Sequence, residues 1–339
     1  MEEIYDLETY NYHLPKELIA QEPLENREDS KLLILHRKSG RIEHSLFKEI
    51  IKYLEPGDCL VINTTKVLPC RISGEKIKTG GKVEVLLLQK IGKNIYSCLA
   101  KPRIKEGIEV SFGEILKGKF IKCESSGIKT IEFYPEKNLE EKIQKLGKLP
   151  LPPYIKKELK DKNRYQTVYA KIPGSAAAPT AGLHFTEELL EKIKRKGIKI
   201  VEVILHISID TFKPVKEKDI RKHIMYSEYY EIPKTTAEII NKTKLQKKRI
   251  IAVGTTTVRV LETQKFPLSE KKGWTSLFIY PGFEFKIVDA LITNFHFPKS
   301  TLLMLVSAFA GKELIKKSYQ EAIDKKYRFY SFGDAMLIL

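Results

Sequence analysis

The sequence has few of the residues that build metal sites or disulfide-stapled folds. Its 339 residues include four cysteines, none in a C-x-x-C pair and none beside a pair of histidines. This spacing is typical of neither zinc centres nor disulfide frameworks, and it fits a reducing compartment. We therefore expect no bound metal, and free thiols at Cys59, Cys70, Cys98 and Cys123.

Long hydrophobic runs are also missing. The longest apolar stretch, Leu302–Ala310, is far shorter than the ~20 residues that span a bilayer. The first twenty residues carry five carboxylates and no apolar block, so we expect no secretory leader. The dinucleotide fingerprint G-x-G-x-x-G, the phosphate-binding P-loop and the zinc motif H-E-x-x-H do not occur. These absences favour a cytoplasmic protein without membrane contact, outside the common nucleotide- and zinc-dependent enzyme classes.

What the chain has in excess is positive charge. Its formal net charge is +17 and its pI is near 9.4, a balance that attracts polyanions through phosphate neutralisation and counterion release. Residues 67–151 carry 17 Lys and Arg against 10 Glu. Lysine outnumbers arginine, so a general lysine bias is the competing explanation. We favour nucleic acid as the partner.

The sequence pattern changes character between Val67 and Leu151. Short β-like runs alternate there with Gly- and Lys-rich turns at roughly ten-residue spacing, which predicts a small closed or half-closed barrel. The segment ends in the stiff L-P-L-P-P stretch that begins at Leu149. Because helix-plus-strand sequence flanks it, we interpret residues 67–151 as a domain inserted between two parts, 1–66 and 152–339, of a main domain.

The main domain alternates strand-like and helix-like segments. This order predicts a layered α/β fold. The predicted elements are a hairpin of Lys31–His36 with Arg41–Ser45, a helical segment from Phe47 to Leu54, strands at Cys59–Asn63, Ile198–Ile209, Ile250–Val253, Ser276–Tyr280 and Asp289–Phe295, and helices at Thr186–Lys196, Thr256–Thr263 and Leu302–Ala310.

A loop of small residues, Lys171–Thr186, stands out as the strongest candidate site. It reads K-I-P-G-S-A-A-A-P-T-A-G-L-H-F-T, in which glycine and alanine allow close backbone approach and two prolines stiffen the chain. Thr186 is a predicted N-cap of the following helix. One interpretation is a tight structural crossover; the other is a substrate-binding loop in which His184 acts as an acid–base group.

His206, Ser208 and Asp210 follow one face of the predicted strand Ile198–Ile209 and its exit. A Ser/His/Asp triad is excluded, because same-face neighbours are about 6.6 Å apart along a strand and His206 and Asp210 would be some 13 Å apart. Triad groups lie within hydrogen-bond reach, roughly 3 Å. His206 either lines a site at the strand end or is a satisfied structural histidine.

The segment A-V-G-T-T-T-V-R, from Ala252 to Arg259, reads as a strand, a glycine turn and a helix start. Free N–H groups at Gly254–Thr256 would bind a carboxylate or phosphate, unless Thr255 only caps the helix. Arg259 is predicted on the first turn, directed to the same end. Further along, Y-P-G-F at Tyr280 and N-F-H-F-P at Asn294 place groups at predicted strand ends that would either stack a nucleobase or cap a core.

Taken together, these stretches resemble the S-adenosylmethionine:tRNA ribosyltransferase-isomerases of queuosine biosynthesis. The resemblance covers essentially the whole chain. It rests on L-P-x-x-L-I-A at Leu14, L-P-L-P-P-Y-I at Leu149, Y-Q-T-V-Y at Tyr165, A-A-P-T-A-G-L-H-F at Ala177, H-I-M-Y-S-E-Y at His223, I-A-V-G-T-T at Ile251, F-I-Y-P-G-F at Phe278, V-D-A-L-I-T-N-F-H at Val288, T-L-L-M-L-V-S-A-F-A-G at Thr301 and Y-R-F-Y-S-F-G-D-A-M at Tyr327.

The resemblance implies an α/β main domain with an inserted β-barrel. It also implies transfer and isomerisation of the ribosyl group of S-adenosylmethionine onto 7-aminomethyl-7-deazaguanine at the wobble position of tRNA. The products would be epoxyqueuosine-tRNA, adenine and methionine. S-adenosylmethionine is then a co-substrate, and no other cofactor is expected. We expect a monomer, because no long apolar stripe is left unassigned.

This chemistry needs an acid–base group with a pKa near neutrality, for which histidine is suited. The hypothesis is that His184 serves first, with His206 and His296 as the other catalytic candidates. Gly254, Thr255 and Thr256 are assigned to the methionine carboxylate, and Tyr280 and Phe283 to a base. The further residues predicted to bind substrate are Thr180, Gly182, Arg259 and Asn294.

The chain departs from the family pattern at two places. Lys66 follows Asn63-Thr64-Thr65 where arginine is expected, and lysine lacks the bidentate phosphate contact of arginine. Ser208 and Asp210 stand where glycines are general, and their side chains would narrow the site. Two alternatives therefore stay open: a catalytically degenerate RNA-binding homologue, and a different enzyme on this scaffold that handles S-adenosylmethionine or nucleosides.

Overall fold

The computed structural model describes residues 3–124, 127–208 and 214–339. The chain forms two compact units. The first comprises Met1–Lys66, Pro152–Ile172 and Ala178–Leu339, and the second comprises Val67–Leu151 with Pro173–Ala177. Pro173–Ala177, which the sequence pattern places in the main domain, thus belongs to the second unit.

Strands and α-helices alternate along much of the chain. In chain order, the strands are β1 (Lys31–His36), β2 (Arg41–Leu46), β3 (Cys59–Asn63), β4 (Thr65–Val67), β5 (Arg71–Lys76), β6 (Lys82–Lys90), β7 (Ile95–Lys101), β8 (Glu109–Phe112), β9 (Leu116–Cys123), β10 (Lys129–Tyr134), β11 (Ile172–Ser175), β12 (Lys199–Leu205), β13 (Glu228–Ile232), β14 (Ile250–Val253), β15 (Lys271–Thr275), β16 (Ala290–Asn294) and β17 (Ala335–Ile338). The α-helices are α1 (Leu139–Leu146), α2 (Glu187–Arg195), α3 (Lys234–Leu245), α4 (Thr255–Glu262), α5 (Thr301–Ala310) and α6 (Lys312–Asp324).

A nine-stranded sheet organises the first unit, in the order β15-β13-β12-β3-β14-β16-β17-β1-β2. Its four central strands, β12, β3, β14 and β16, run parallel. The sequences C-L-V-I-N, I-I-A-V and A-L-I-T-N of three of them are buried at every position, as expected for parallel strands covered on both faces. The carboxyl ends of all four strands therefore meet at one edge of the sheet.

One hydrophobic core packs the sheet against helical segments. Phe47 and Ile50, from the 3-10 helix Phe47–Tyr53, and Leu189 and Ile193, from α2, share a buried cluster with apolar residues of β3, β14 and β16. Helix α2 begins where the sequence predicts, because the Thr186 hydroxyl accepts a hydrogen bond from the Leu189 amide at 3.0 Å. This cap and core hold the small-residue loop that precedes α2.

The second unit contains a closed six-stranded antiparallel barrel, in the order β10-β7-β6-β5-β8-β9. Its interior is filled by buried apolar side chains, among them Ile72, Val85, Phe112, Phe120 and Phe133. The closed barrel and the layered main unit confirm the predicted α/β class with a small barrel. Strand β5, with its polar R-I-S-G-E-K sequence, is not predicted from the pattern but completes the barrel.

Several predicted elements differ from the structure. The strand predicted at Ser276–Tyr280 is wrong: the strand is Lys271–Thr275, a mostly exposed segment that forms only by antiparallel pairing with β13. The helical segment predicted from Phe47 to Leu54 is present, as the 3-10 helix Phe47–Tyr53. Strand β12 ends at Leu205, so His206 and Ser208 lie beyond it, whereas Ile209 and Asp210 lie outside the described residues. In the described part of the chain, no helix is long and apolar enough to cross a membrane.

Candidate active site

A cleft opens where the parallel strands end. It occupies about 570 Å3, open solvent at its mouth included. The residues that line it follow the carboxyl ends of β12, β14 and β16, where ligands gather in α/β sheets, or belong to the small-residue loop and the chain near Tyr330. They are Tyr154, Ala178, Pro179, Thr180, Ala181, Ile207, Gly254, Thr255, Thr256, Thr293, Asn294, Phe295, His296, Phe297, Leu302, Tyr330 and Ser331.

Six of the predicted site residues thus meet in one cleft. They are Thr180, Gly254, Thr255, Thr256, Asn294 and His296. The other six, Gly182, His184, His206, Arg259, Tyr280 and Phe283, are not among the residues that line it. Of these, His184 is joined to the cleft through Asn294.

The turn after β14 presents the amino-terminal end of α4 to the cleft. Gly254 has φ +90°, a conformation that non-glycine residues rarely adopt, and it is the N-cap of α4. The N-cap is therefore not Thr255. The Thr256 hydroxyl accepts a hydrogen bond from the Asn63 amide at 3.4 Å, so its own proton is available to a ligand. Backbone and hydroxyl donors at this turn suit a carboxylate.

The carboxamide of Asn294 connects the cleft to its surroundings. Its Oδ1 accepts a hydrogen bond from the Thr180 hydroxyl at 3.0 Å, and its Nδ2 lies 3.2 Å from the Tyr330 carbonyl and 3.1 Å from His184 Nε2. A carbonyl only accepts, so the amide nitrogen must face Tyr330. Asn294 Nδ2 therefore donates to His184 Nε2 as well. Because the Thr180 hydroxyl proton is used in the bond to Asn294 Oδ1, the Thr180 oxygen offers only lone pairs to the cleft.

His184 has both ring nitrogens engaged. Nε2 accepts from Asn294, so the ring proton is on Nδ1, which donates to the Ser30 hydroxyl at 2.8 Å. The side chain is 5% exposed and its ring is stacked on Phe47 with centroids 5.0 Å apart. Burial, with the positive charges of Arg27 and Arg328, lowers the pKa of His184 to about 3. It is therefore a neutral, fixed group at neutral pH.

His296 is the histidine that lines the cleft itself. Its Nε2 lies 2.9 Å from the Thr293 hydroxyl, which also lies 3.3 Å from the Asn294 carbonyl. If the Thr293 hydroxyl donates its proton to the Asn294 carbonyl, it accepts a hydrogen bond from His296 Nε2–H. The ring lone pair of His296 is then on Nδ1. No hydrogen bond to Nδ1 occurs among residues 3–124, 127–208 and 214–339. Burial lowers the pKa of His296 to about 3, so the ring is neutral at neutral pH, and its pKa lies far below the near-neutral value expected from the sequence.

His206 lies directly after β12, next to the cleft residue Ile207. Its Nδ1 is 2.8 Å from the Thr65 hydroxyl, and its ring is stacked on Tyr229 with centroids 5.6 Å apart. Burial lowers its pKa, opposed by the charge of Glu231. The ring is held beside the cleft by these two contacts.

Arg259 does not extend to the amino-terminal end of α4. It is the fifth residue of that helix, and its guanidinium forms a buried ion pair with Glu228 while Nε donates to the Leu277 carbonyl at 2.9 Å. The second Glu228 oxygen accepts from the Ser208 amide at 2.6 Å. The Nη2 atom of Arg259 has no hydrogen-bond partner in the described part of the chain. The ion pair fixes the chain after β12, a role that the sequence pattern does not indicate.

Tyr280 and Phe283 belong to two separate aromatic contacts and are not among the residues that line the cleft. Tyr280 contacts Tyr5 with ring centroids 6.2 Å apart, and Phe283 contacts Phe285 at 5.1 Å. The strand expected to deliver Tyr280 is not formed there. Their assignment to a base stays a prediction.

Three lining residues are not indicated by the sequence pattern alone. Tyr154 donates or accepts a hydrogen bond with Ser331 at 2.6 Å, and its ring lies 4.7 Å from that of Tyr330. Tyr330 has φ +73°, an outlier for a bulky residue of the kind that clusters at functional sites. The family motifs could have indicated them, since these residues lie in the L-P-L-P-P-Y-I and Y-R-F-Y-S-F-G-D-A-M stretches.

The small-residue loop has no space for a side chain at Gly182. Gly182 is buried on the 3-10 helix Thr180–His184. A Cβ built there would overlap Tyr169 Oη and would lie 2.8 Å from Thr167 Cγ2. The loop therefore packs directly on the segment that carries Thr167 and Tyr169.

Substituting Gly182 with alanine should destabilise the protein by roughly 1–3 kcal/mol, the usual cost of overpacking, and should displace the adjacent Thr180. Chemical unfolding would measure the first effect and substrate affinity the second. Gly81→Ala is the matched control for added volume, because its φ is not in the left-handed region and a Cβ there makes only ordinary contacts, 3.5 Å from Thr79 Oγ1 and 3.6 Å from Lys76 Cδ. Equal stability of Gly182→Ala and the wild type would contradict the close packing.

Comparisons with known proteins give consistent matches over nearly the whole chain. The family model for queuosine biosynthesis proteins matches residues 7–338. The chain is 55% identical over 336 residues to the S-adenosylmethionine:tRNA ribosyltransferase-isomerase of Thermoanaerobacter sp. (strain X514), covering 97% of this chain and 98% of the relative. It is 52% identical over 342 residues to the protein of the same name from Halothermothrix orenii, covering 98% and 99%. A crystal structure of S-adenosylmethionine tRNA ribosyltransferase from Thermotoga maritima is similar at 43% identity, with a TM-score of 0.58 over 98% of this chain and 100% of that chain.

Proposed function

Because the chain belongs to the queuosine biosynthesis protein family, we propose that it is an S-adenosylmethionine:tRNA ribosyltransferase-isomerase. The observation that carries the proposal is the convergence of motif residues in one cleft. Thr180, Gly254–Thr256, Asn294 and His296 come from three distant motifs and meet at the carboxyl ends of the parallel strands. A cleft with a small number of convergent hydroxyl, amide and imidazole groups is the usual form of an enzyme's binding site.

The proposed reaction moves the ribosyl group of S-adenosylmethionine onto 7-aminomethyl-7-deazaguanine at the wobble position of tRNA. A base removes a proton from the ribose 5′ carbon, which the adjacent sulfonium acidifies. Adenine leaves as the ring opens, the aminomethyl nitrogen attacks, and methionine departs as the epoxide forms. S-adenosylmethionine is the co-substrate and no further cofactor is needed, and we propose that the protein acts as a cytoplasmic monomer.

We assign the acid–base role to His296 on geometry, because it lines the cleft and has a ring nitrogen without a hydrogen bond among the described residues, whereas the low pKa that it shares with His184 does not distinguish the two. The donors of Thr255 and Thr256 are assigned to the methionine carboxylate, whereas the predicted contact of Gly254 is not kept, because its amide donates to the Ile292 carbonyl at 2.8 Å. Thr180, whose proton is committed to Asn294, accepts a hydrogen bond from a substrate N–H. The six other predicted residues, Gly182, His184, His206, Arg259, Tyr280 and Phe283, are not among the residues that line the cleft.

His184 then acts as a positioning residue rather than as the acid–base group. It holds the Asn294 carboxamide, which in turn orients the Thr180 hydroxyl. A neutral histidine with Nδ1–H donating and Nε2 accepting is matched by glutamine, which offers one donor and one acceptor. This assignment replaces the hypothesis that His184 serves first in proton transfer.

The substitutions His184→Gln and His184→Leu should therefore differ. We expect His184→Gln to keep turnover within about tenfold, and His184→Leu to lose about 10–100-fold because the buried Asn294 donor is left unpaired, at about 1–3 kcal/mol. The measurement is kcat for adenine release. Equal, large losses in both variants would instead support proton transfer by His184.

The reaction itself is tested with labelled S-adenosylmethionine and a tRNA anticodon stem-loop that carries 7-aminomethyl-7-deazaguanine. Equal amounts of free adenine and of RNA with a ribosyl-derived mass gain are expected. Tight RNA binding without either product would favour the degenerate RNA-binding homologue. Adenine release that needs no modified RNA would favour a different enzyme that handles S-adenosylmethionine.

A further inference from the structure

Three aromatic rings, those of His206, Tyr229 and Trp274, form a row that begins beside the cleft. His206, which precedes the cleft residue Ile207, is stacked on Tyr229 with centroids 5.6 Å apart and planes inclined by 23°. Tyr229 meets Trp274 edge to face at 5.8 Å. Tyr229 and Trp274 are also directly paired across β13 and β15. The row therefore leads from His206, the chain neighbour of the cleft residue Ile207, to the edge strand of the sheet.

The outer end of this row is open to solvent. Neighbouring positions on the two strands, Glu228, Tyr230 and Thr275, are buried, so Tyr229 and Trp274 lie on the opposite face of this strand pair. Trp274, the only tryptophan of the chain, is 54% exposed. A large exposed aromatic on an edge strand contributes little to the core, and its ring is accessible to a ligand.

The chemistry of the surface around Trp274 suits unpaired RNA. Of the two lysines on this strand, Lys272 shares the face of Trp274 and pairs with Glu231 at 2.8 Å, whereas Lys271 is exposed at the start of the strand on the other face. The chain as a whole carries a net charge of +17. Aromatic faces with nearby lysines bind single-stranded nucleotides by stacking and by backbone attraction, whatever the base.

We propose that Trp274, supported by Tyr229, is a stacking platform for an unpaired nucleotide of the tRNA anticodon loop while the wobble nucleotide occupies the cleft. The assignment rests on the proposed function for the identity of the RNA. It explains why the row begins at His206, beside the cleft, and ends at an exposed ring. A protein or membrane partner would have no need of this continuity with the cleft.

The test uses the full chain and an anticodon stem-loop, without S-adenosylmethionine. Because Trp274 is the only tryptophan, stacking should quench the protein's tryptophan fluorescence as RNA is added. Trp274→Ala should raise the dissociation constant, read by anisotropy of labelled RNA, by about 5- to 150-fold, the loss expected for one base–aromatic stack. Trp274→Phe should recover most of the affinity.

Leu245→Ala is the matched control, because Leu245 is likewise an exposed apolar residue, 76% exposed at the end of α3. We expect no change in its affinity for RNA. In turnover assays Trp274→Ala should raise KM for RNA and leave kcat and KM for S-adenosylmethionine unchanged. Unquenched fluorescence, or equal affinities of Trp274→Ala and Leu245→Ala, would overturn the platform. If RNA quenches the tryptophan fluorescence but no adenine is released in the turnover assay, the platform is supported and the proposed reaction is contradicted.

Discussion

Replacing His296 with alanine should lower kcat for adenine release by about 10²–10⁴-fold, the usual contribution of a positioned acid–base group. The expectation follows from the position of the ring in the cleft lining and from its Nδ1, which has no hydrogen bond among the described residues. His296→Gln should lose as much, because glutamine accepts no proton at neutral pH. The measurement is single-turnover adenine release at saturating substrates.

The pH profile gives an independent check on His296. Since burial holds the pKa of His296 near 3, its active, neutral form persists from neutral pH down to about pH 4 and is lost only as pH falls through about 3. We therefore expect that His296 causes no inflection near pH 6.5 in the pH–rate profile. The profiles of the wild type and of His296→Gln should have the same shape in that pH range. His13→Ala is the matched control, because His13 is exposed and outside the cleft lining. Full turnover in His296→Ala would contradict the acid–base assignment.

Arg259→Leu should destabilise the protein by roughly 3–5 kcal/mol, because it leaves the buried Glu228 carboxylate without its partner. Both side chains are less than 5% exposed, so water cannot replace the guanidinium. The measurement is the midpoint of urea unfolding. We expect the double substitution Arg259→Met with Glu228→Gln to recover part of the loss, since no buried charge then remains unpaired.

Arg221→Leu is the control for the loss of an arginine ion pair. Arg221 pairs with Asp219 at 2.7 Å, but its side chain is 47% exposed. Exposed pairs contribute about 0–1 kcal/mol, so its unfolding midpoint should shift little. Similar shifts for Arg221→Leu and Arg259→Leu would contradict the view that Arg259 is chiefly a structural residue.

Local sequence patterns determined the elements whose residues are apolar throughout or whose ends carry a capping or turn residue. Cys59–Asn63 and Ile250–Val253 are strands because short β-branched apolar runs bounded by turns can be buried on both faces. The N-cap at Thr186 follows from a hydroxyl placed before an acidic first turn. The family, and with it the reaction, follows from long motifs that are visible without any coordinates.

Strand β15 and the strand predicted at Ser276–Tyr280 show where local patterns fail. The sequence K-K-G-W-T has no apolar alternation, and it becomes a strand only because β13 offers a partner for its backbone. An edge strand needs no buried face of its own. The more hydrophobic Ser276–Tyr280 has no such partner in the described part of the chain and stays irregular.

The sequence by itself determined the fold class, the inserted barrel and the set of candidate groups, because these depend on periodicity and motif identity. Only the tertiary structure decided which candidates share a cleft and what each can do. His184 and His296 are both histidines in matching motifs, yet one has both ring nitrogens engaged and the other lines the cleft. That difference arises from partners distant in the chain, Ser30 and Asn294, and hydrogen bonding between distant residues has no local signature.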